Sequence, residues 1–118
     1  MKFGLIICTY QRPQAMVKLL QSIEVQTKYP HQIVVVDGSF DDKTQGLLLQ
    51  QTYSNLQYHK VNKEERGLTR QRNYGISKLD KQIEIVCFLD DDVILNSNYF
   101  EELIGTYSRH SEALGVSG

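Results

Sequence analysis

The chain has 118 residues, with 13 Lys and Arg against 14 Asp and Glu, a formal net charge of -1 at pH 7. That length fits one domain, and 41% hydrophobic with 23% charged residues suits a globular protein and excludes a disordered one. The near-zero charge leaves no compositional case for nucleic acid or an anionic membrane as partner, and no apolar run approaches the roughly 20 residues that span a bilayer.

Phe3 to Cys8 is a short unbroken apolar run, the mark of a strand buried on both faces, and is too short for a secretion signal. Thr9-Tyr10-Gln11-Arg12-Pro13 breaks it, with Pro13 suited to a first helical turn. Ala15, Met16, Leu19, Leu20 and Ile23 then recur at helical spacing and predict an amphipathic helix ending before Tyr29-Pro30. Ile33-Val34-Val35-Val36 is a second buried strand, stopped by Asp37-Gly38-Ser39. A weaker helical pattern runs from Asp42 to Tyr53, and the alternation of Leu56, Tyr58 and Lys60 predicts a more exposed strand near a sheet edge. The polar stretch Asn62 to Gly67 leads into a helix expected from Leu68 to Leu79.

Ile83 to Leu89 is a third strongly buried strand, running straight into Asp90-Asp91-Asp92. Ser97 is the expected N-cap of a helix from Asn98 to Tyr107, with Phe100, Leu103, Ile104 and Tyr107 inward. Leu114 to Gly118 looks like the opening of another strand, so the chain is expected to be a piece of a larger unit. Cys8 and Cys87 both sit in apolar runs, as buried free thiols do. Alternating strands and helices predict an α/β fold: a mostly parallel, Rossmann-like sheet with helices on both faces, three layers in all. A cytoplasmic protein is expected, with membrane association left open for a longer parent.

In such sheets ligands bind beyond the carboxyl ends of the strands, so the residues after each apolar run are the candidates. They are Thr9, Tyr10 and Arg12 after the first strand, Asp37, Gly38 and Ser39 after the second, and Asp90, Asp91 and Asp92 after the fourth. Gly67, Arg70, Arg72 and Asn73 open the preceding helix. Three adjacent carboxylates repel unless something compensates, and a divalent cation does so. Mg²⁺ favours one or two protein carboxylates together with substrate phosphate oxygens. In an extended segment Asp90 and Asp92 share one side and Asp91 takes the other.

Bland readings compete with each of these: an acidic solvated turn at Asp90 to Asp92, a helix-capping turn at Asp37 to Ser39, and solvated helix charges at Arg70 and Arg72. The stretch from Asp37 does not make an EF-hand loop, because Asp42 stands where that loop needs glycine. Among other motifs, G-x-G-x-x-G, the P-loop and G-x-S-x-G are absent, and His31, His59 and His110 are scattered without zinc-site spacing.

Four segments occur in order: Ile6-Ile7-Cys8-Thr9-Tyr10-Gln11-Arg12, Val34-Val35-Val36-Asp37-Gly38-Ser39, Arg66-Gly67-Leu68-Thr69-Arg70-Gln71-Arg72-Asn73-Tyr74-Gly75-Ile76, and Phe88-Leu89-Asp90-Asp91-Asp92-Val93. Together they resemble the nucleotide-sugar-binding half of glycosyltransferase family 2, with its GT-A fold, over Leu5 to Val116. The resemblance implies a strand order of 3-2-1-4 and a nucleoside-diphosphate sugar as ligand, a UDP-sugar first. Thr9 and Tyr10 would lie beside the base and Asp37 would hydrogen-bond it. Arg72, in preference to Arg70, would reach the base or diphosphate. Asp90-Asp91-Asp92 would be the D-x-D motif, with Asp92 the leading ligand of Mg²⁺ or Mn²⁺, Asp90 a second, and Asp90 or Asp91 near the ribose.

The family often shows two acids before Gly-Ser, whereas here Val36-Asp37 stands, and Asp37 is read as the base-binding one. Residues 1–118 would then be the donor-binding part of an inverting transferase. Its saccharide or other hydroxyl acceptor, acceptor-binding half and general base would be expected beyond Gly118. Three alternatives stay in view. A nucleotidyltransferase would carry a glycine-rich basic loop after the first strand, a receiver-like signalling module would carry acids there, and a non-catalytic relative would only bind.

Overall fold

A computed structural model describes residues 1–109. Four strands, β1 (Phe3–Thr9), β2 (Gln32–Asp37), β3 (Leu56–Lys60) and β4 (Ile85–Asp90), form one parallel sheet in the order β3-β2-β1-β4. Four helices, α1 (Pro13–Glu24), α2 (Lys43–Leu48), α3 (Leu68–Lys78) and α4 (Tyr99–Arg109), accompany them, and a 3₁₀ turn at Lys63–Glu65 precedes α3. The expected strand at Leu114 to Gly118 lies outside the described residues.

The alternation of side chains along β1 and β2 builds two cores. Leu5, Ile7, Ile33 and Val35 face one way and pack with Met16, Leu19, Leu20 and Ile23 of α1, Leu48 of α2, and Phe100 and Ile104 of α4. Ile6, Val34 and Val36 face the other way, where Tyr74 of α3, Val61 and Leu79 cover them. Helix α3 lies so close to β1 that a Cβ at Gly75 would stand 2.6 Å from Ile6 Cγ2. These are the three layers the alternation predicts.

Three expectations need correction. β4 is buried on one face only: Cys87 and Leu89 point into the core, while Val86 and Phe88 are 38% and 42% exposed. Among the described residues β4 is an edge strand, and α3 sits over β1 and β2 instead of reaching across it. Helix α2 stops at Leu48, well short of Tyr53: Gly46 inside it lowers its helix propensity, the three leucines are contiguous, and Leu49 points to solvent. Helix α4 starts at Tyr99, so Ser97 lies in the preceding turn, where its carbonyl accepts from Thr27 N.

The chain runs from β1 outward to β3 with α1 and α2 on one face, then returns to the other side of β1 for β4, with α3 on the opposite face. That reversal is a topological switch point between β1 and β4, and it opens a crevice at their carboxyl ends.

Candidate functional site

A cleft of about 530 Å³ occupies this crevice. Its walls are the ends of β1 and β4 and the start of α3: Cys8, Thr9, Tyr10 and Arg12; Asp90, Asp91 and Asp92; Arg66, Gly67, Gln71 and Arg72.

Asp91 is the buried member of the acidic triplet. Thr9 Oγ1 donates to its Oδ2 at 2.8 Å, and Arg12 Nη1 donates to its Oδ1 at 3.3 Å. The same Arg12 nitrogen lies 3.2 Å from Asp92 Oδ2, whose side chain is 58% exposed. Burial thus continues the β4 alternation past its end, with Asp90 and Asp92 open and Asp91 closed. Each Asp91 oxygen already accepts from a neighbour, so the more open Asp90 and Asp92 are the carboxylates better placed to meet a cation. Asp90 and Asp92 offer two accessible carboxylates, a number that suits Mg²⁺ or Mn²⁺ only when phosphate oxygens complete the shell. Among the described residues no group of three His, Cys, Asp or Glu side chains is arranged to hold a metal alone.

The opposite wall is built on glycine and glutamine. Gly67 has φ +115°, a conformation that favours glycine, and it begins α3 without a side-chain cap. Its N–H donates to Gln71 Oε1 at 3.1 Å. Gln71, only 4% exposed, donates from Nε2 to Thr9 O at 3.2 Å and to Val36 O at 3.0 Å. One amide therefore ties β1, β2 and the start of α3 together at the cleft floor.

Arg72 lines the cleft, with its guanidinium 5.2 Å from the Phe88 ring centre, a cation–π distance. Burial pushes the Cys8 thiol up to about 11, against the downward pull of the Arg72 charge, with Asp91 adding to the rise. Tyr10 stands half exposed at the rim, edge-on to Phe40 at 6.4 Å.

The structure therefore gathers Thr9, Tyr10, Arg12, Gly67, Arg72, Asp90, Asp91 and Asp92 into one cleft, and leaves five sequence candidates outside it: Asp37, Gly38, Ser39, Arg70 and Asn73. Arg70 points away and donates to Glu64 O, and Asn73 is exposed on α3. Asp37 is fully buried: its Oδ1 accepts from Ser39 N at 2.9 Å and its Oδ2 from the Tyr58 hydroxyl. It secures the Gly38-Ser39 turn, and its carboxylate is closed to solvent in this structure.

Sequence reasoning passed over Gln71, Arg66 and Gln11. Gln11, at φ 55°, donates from its backbone N to Ser39 Oγ (2.8 Å) and from Nε2 to Asp41 (3.1 Å). Its Oε1 accepts from Phe40 N at 2.9 Å, so it clasps the loops after β1 and β2 together. The segment from Arg66 to Ile76, one of the four that carry the family resemblance, is the signal that pointed near Gln71.

An acid-tipped strand beside β1 of a parallel sheet, facing a glycine-opened helix, is a doubly wound α/β arrangement of the kind seen in GT-A folds. The family model described as glycosyl transferase family 2 matches residues 5–117, and the chain belongs to that family. It is 29% identical over 104 residues to an uncharacterized glycosyltransferase, YwdF, of Bacillus subtilis strain 168, covering 87% of this chain and 37% of that protein. The crystal structure of S. aureus TarS 1-349 in complex with UDP-GlcNAc superposes with a TM-score of 0.74 at 26% identity, over 94% of this chain and 32% of that one. A mannosyltransferase from Pyrobaculum calidifontis, PcManGT, in complex with GDP-Man and Mn²⁺, superposes at 0.74 with 22% identity, over 91% and 32%, which shows the shared fold. The chain thus spans about a third of the length of these relatives.

Proposed function

We propose that this chain is the donor-binding part of a glycosyltransferase, holding a nucleoside-diphosphate sugar, a UDP-sugar first, in the cleft between β1, β4 and α3. The observation that carries the reading is the Thr9–Asp91–Arg12–Asp92 network at the mouth of that cleft. It fixes one acid as a support and leaves Asp92 and Asp90 open toward the ligand space. TarS, whose complexes contain UDP and UDP-GlcNAc, supports the choice of UDP among nucleotides.

Each side chain then has a task. Asp92 leads and Asp90 assists in holding Mg²⁺ or Mn²⁺, and Arg12 aims Asp92 through a shared nitrogen. The metal, when bound, supplies charge neutralisation to the nucleoside diphosphate as it leaves. Thr9 keeps Asp91, and with it the acidic turn, in place. Gly67 lets the backbone come close to the ligand, Tyr10 offers a ring for the base, and Arg72 supplies a fixed positive charge to the diphosphate or base. The acceptor is a saccharide or other hydroxyl compound. Attack opposite the leaving group gives inversion, with the proton taken by a general base outside the described residues.

Equilibrium titration of UDP with and without Mn²⁺, on the wild-type chain and Asp92→Ala, tests the reading. Binding that requires Mn²⁺ and is weakened at least tenfold in Asp92→Ala is expected. UDP binding that ignores both would contradict it.

A further inference from the structure

Arg66 lies between the 3₁₀ turn and Gly67, and its side chain lines the cleft on the wall facing the acidic triplet. Its stem crosses Gly38: a Cβ built there would come within 3.3 Å of Arg66 Cγ and 2.7 Å of Gln71 Oε1. The missing side chain at 38 is the notch in which this arginine rests. Its Nε is buried and has no hydrogen-bond partner. Among the described residues no carboxylate lies within 4.0 Å of its guanidinium.

Of the neighbouring cations, Arg12 is paired with Asp91 and Asp92, and Arg72, which the proposed function gives to the diphosphate or base, lies against the Phe88 ring. A guanidinium has five donors, no acceptor, and a charge it does not shed. A buried donor left unpaired is costly, and a pair of ligand oxygens is the geometry its planar fork meets best.

We infer that Arg66 is a further nucleotide-binding residue, donating to an acceptor oxygen of the ligand from the wall opposite the acids. This rests on the donor-site reading above. The acceptor is a diphosphate oxygen or a carbonyl of the base, the same chemistry from two parts of one ligand. With Asp90 and Asp92 on one wall and Arg66 on the other, the cleft has an acidic side for metal and a cationic side for oxygen.

The test titrates UDP, uridine and pyrophosphate, all with Mn²⁺, into wild type, Arg66→Met and Arg66→Lys. Arg66→Met should weaken UDP at least tenfold and Arg66→Lys at least threefold, with neither variant's ligand-free unfolding midpoint below that of the wild type. A matching loss for pyrophosphate assigns the phosphate, and a matching loss for uridine assigns the base. UDP affinity within twofold of a wild type that does bind UDP would overturn the proposal and leave water as the partner of Arg66. A wild-type chain that binds no UDP contradicts the donor-site reading itself, and this proposal falls with it.

Discussion

Thr9 and Asp91, 82 residues apart in sequence, meet through a 2.8 Å hydrogen bond that joins the end of β1 to the turn after β4. Both are buried, so the bond is shielded from competing water. Thr9→Val keeps the shape and removes the donor, leaving Asp91 with Arg12 alone. The expected loss is about 1–3 kcal/mol of stability, while Thr9→Ser, which keeps the hydroxyl, loses less than half as much. Urea unfolding of the three chains reads this directly.

Asp91 and Asp92 should separate in their effects although they are adjacent. Asp91→Asn disturbs a buried network and should lower the ligand-free unfolding midpoint. Asp92→Asn alters an exposed carboxylate and should leave that midpoint within about 0.5 kcal/mol of wild type, while abolishing the metal-dependent part of nucleotide binding. Equal midpoint losses in the two variants would contradict the division of labour between support and ligand.

Gly75 and Gly46 are both helical, and alanine should have opposite effects at the two positions. At Gly75 the new Cβ would meet Ile6 Cγ2 at 2.6 Å and Val36 Cγ2 at 3.3 Å, whereas at Gly46 nothing lies within 4 Å. Gly75→Ala should destabilise by about 1–3 kcal/mol through overpacking, and Gly46→Ala should stabilise by about 0.5–1 kcal/mol through helix propensity. Guanidinium midpoints settle the signs.

The thiols give a pH dependence. Burial raises Cys87 from 9.0 to about 11, and Cys8 rises to about 11 with burial as the largest cause. A raised pKa favours the neutral thiol in the folded state. Its contribution is therefore fully present below about pH 9 and is lost as pH climbs toward 11. Tyr58, raised by burial and by its bond to Asp37, acts in the same direction at higher pH. Stability should hold level from pH 7 to 9 and then fall, and thiol reagents at pH 8 should label buried Cys87 only after denaturant is added, while the half-buried Cys8 at the cleft wall reacts in the folded chain.

Most of the fold was legible because β1 and β2 are buried on both faces and therefore read as unbroken apolar runs. β3 was legible as an edge by its alternation. β4 misled because Val86 and Phe88 are apolar yet uncovered, and composition does not reveal what lies over a strand. The site was legible at the strand ends, where topology forces chemistry to gather. The resemblance favoured Arg72 over Arg70, and the phase of α3 places them so, since residues two apart on a helix point in very different directions. Gln71 was invisible because its three partners lie on three different segments. The closure of Asp37 was invisible too, since the Tyr58 hydroxyl that seals it is 21 residues away.

The donor site itself is tested most directly by thermal shift, with UDP, GDP and dTDP, each with and without Mn²⁺, on wild type and Asp92→Ala. A nucleotide at 100 times its dissociation constant adds about 2.7 kcal/mol, a rise of roughly 10 °C in a domain of this size. The account predicts that rise for UDP with Mn²⁺ on the wild type, a small one without metal, and none in Asp92→Ala. An equal shift in wild type and Asp92→Ala, or no shift with any nucleotide and metal, would contradict it.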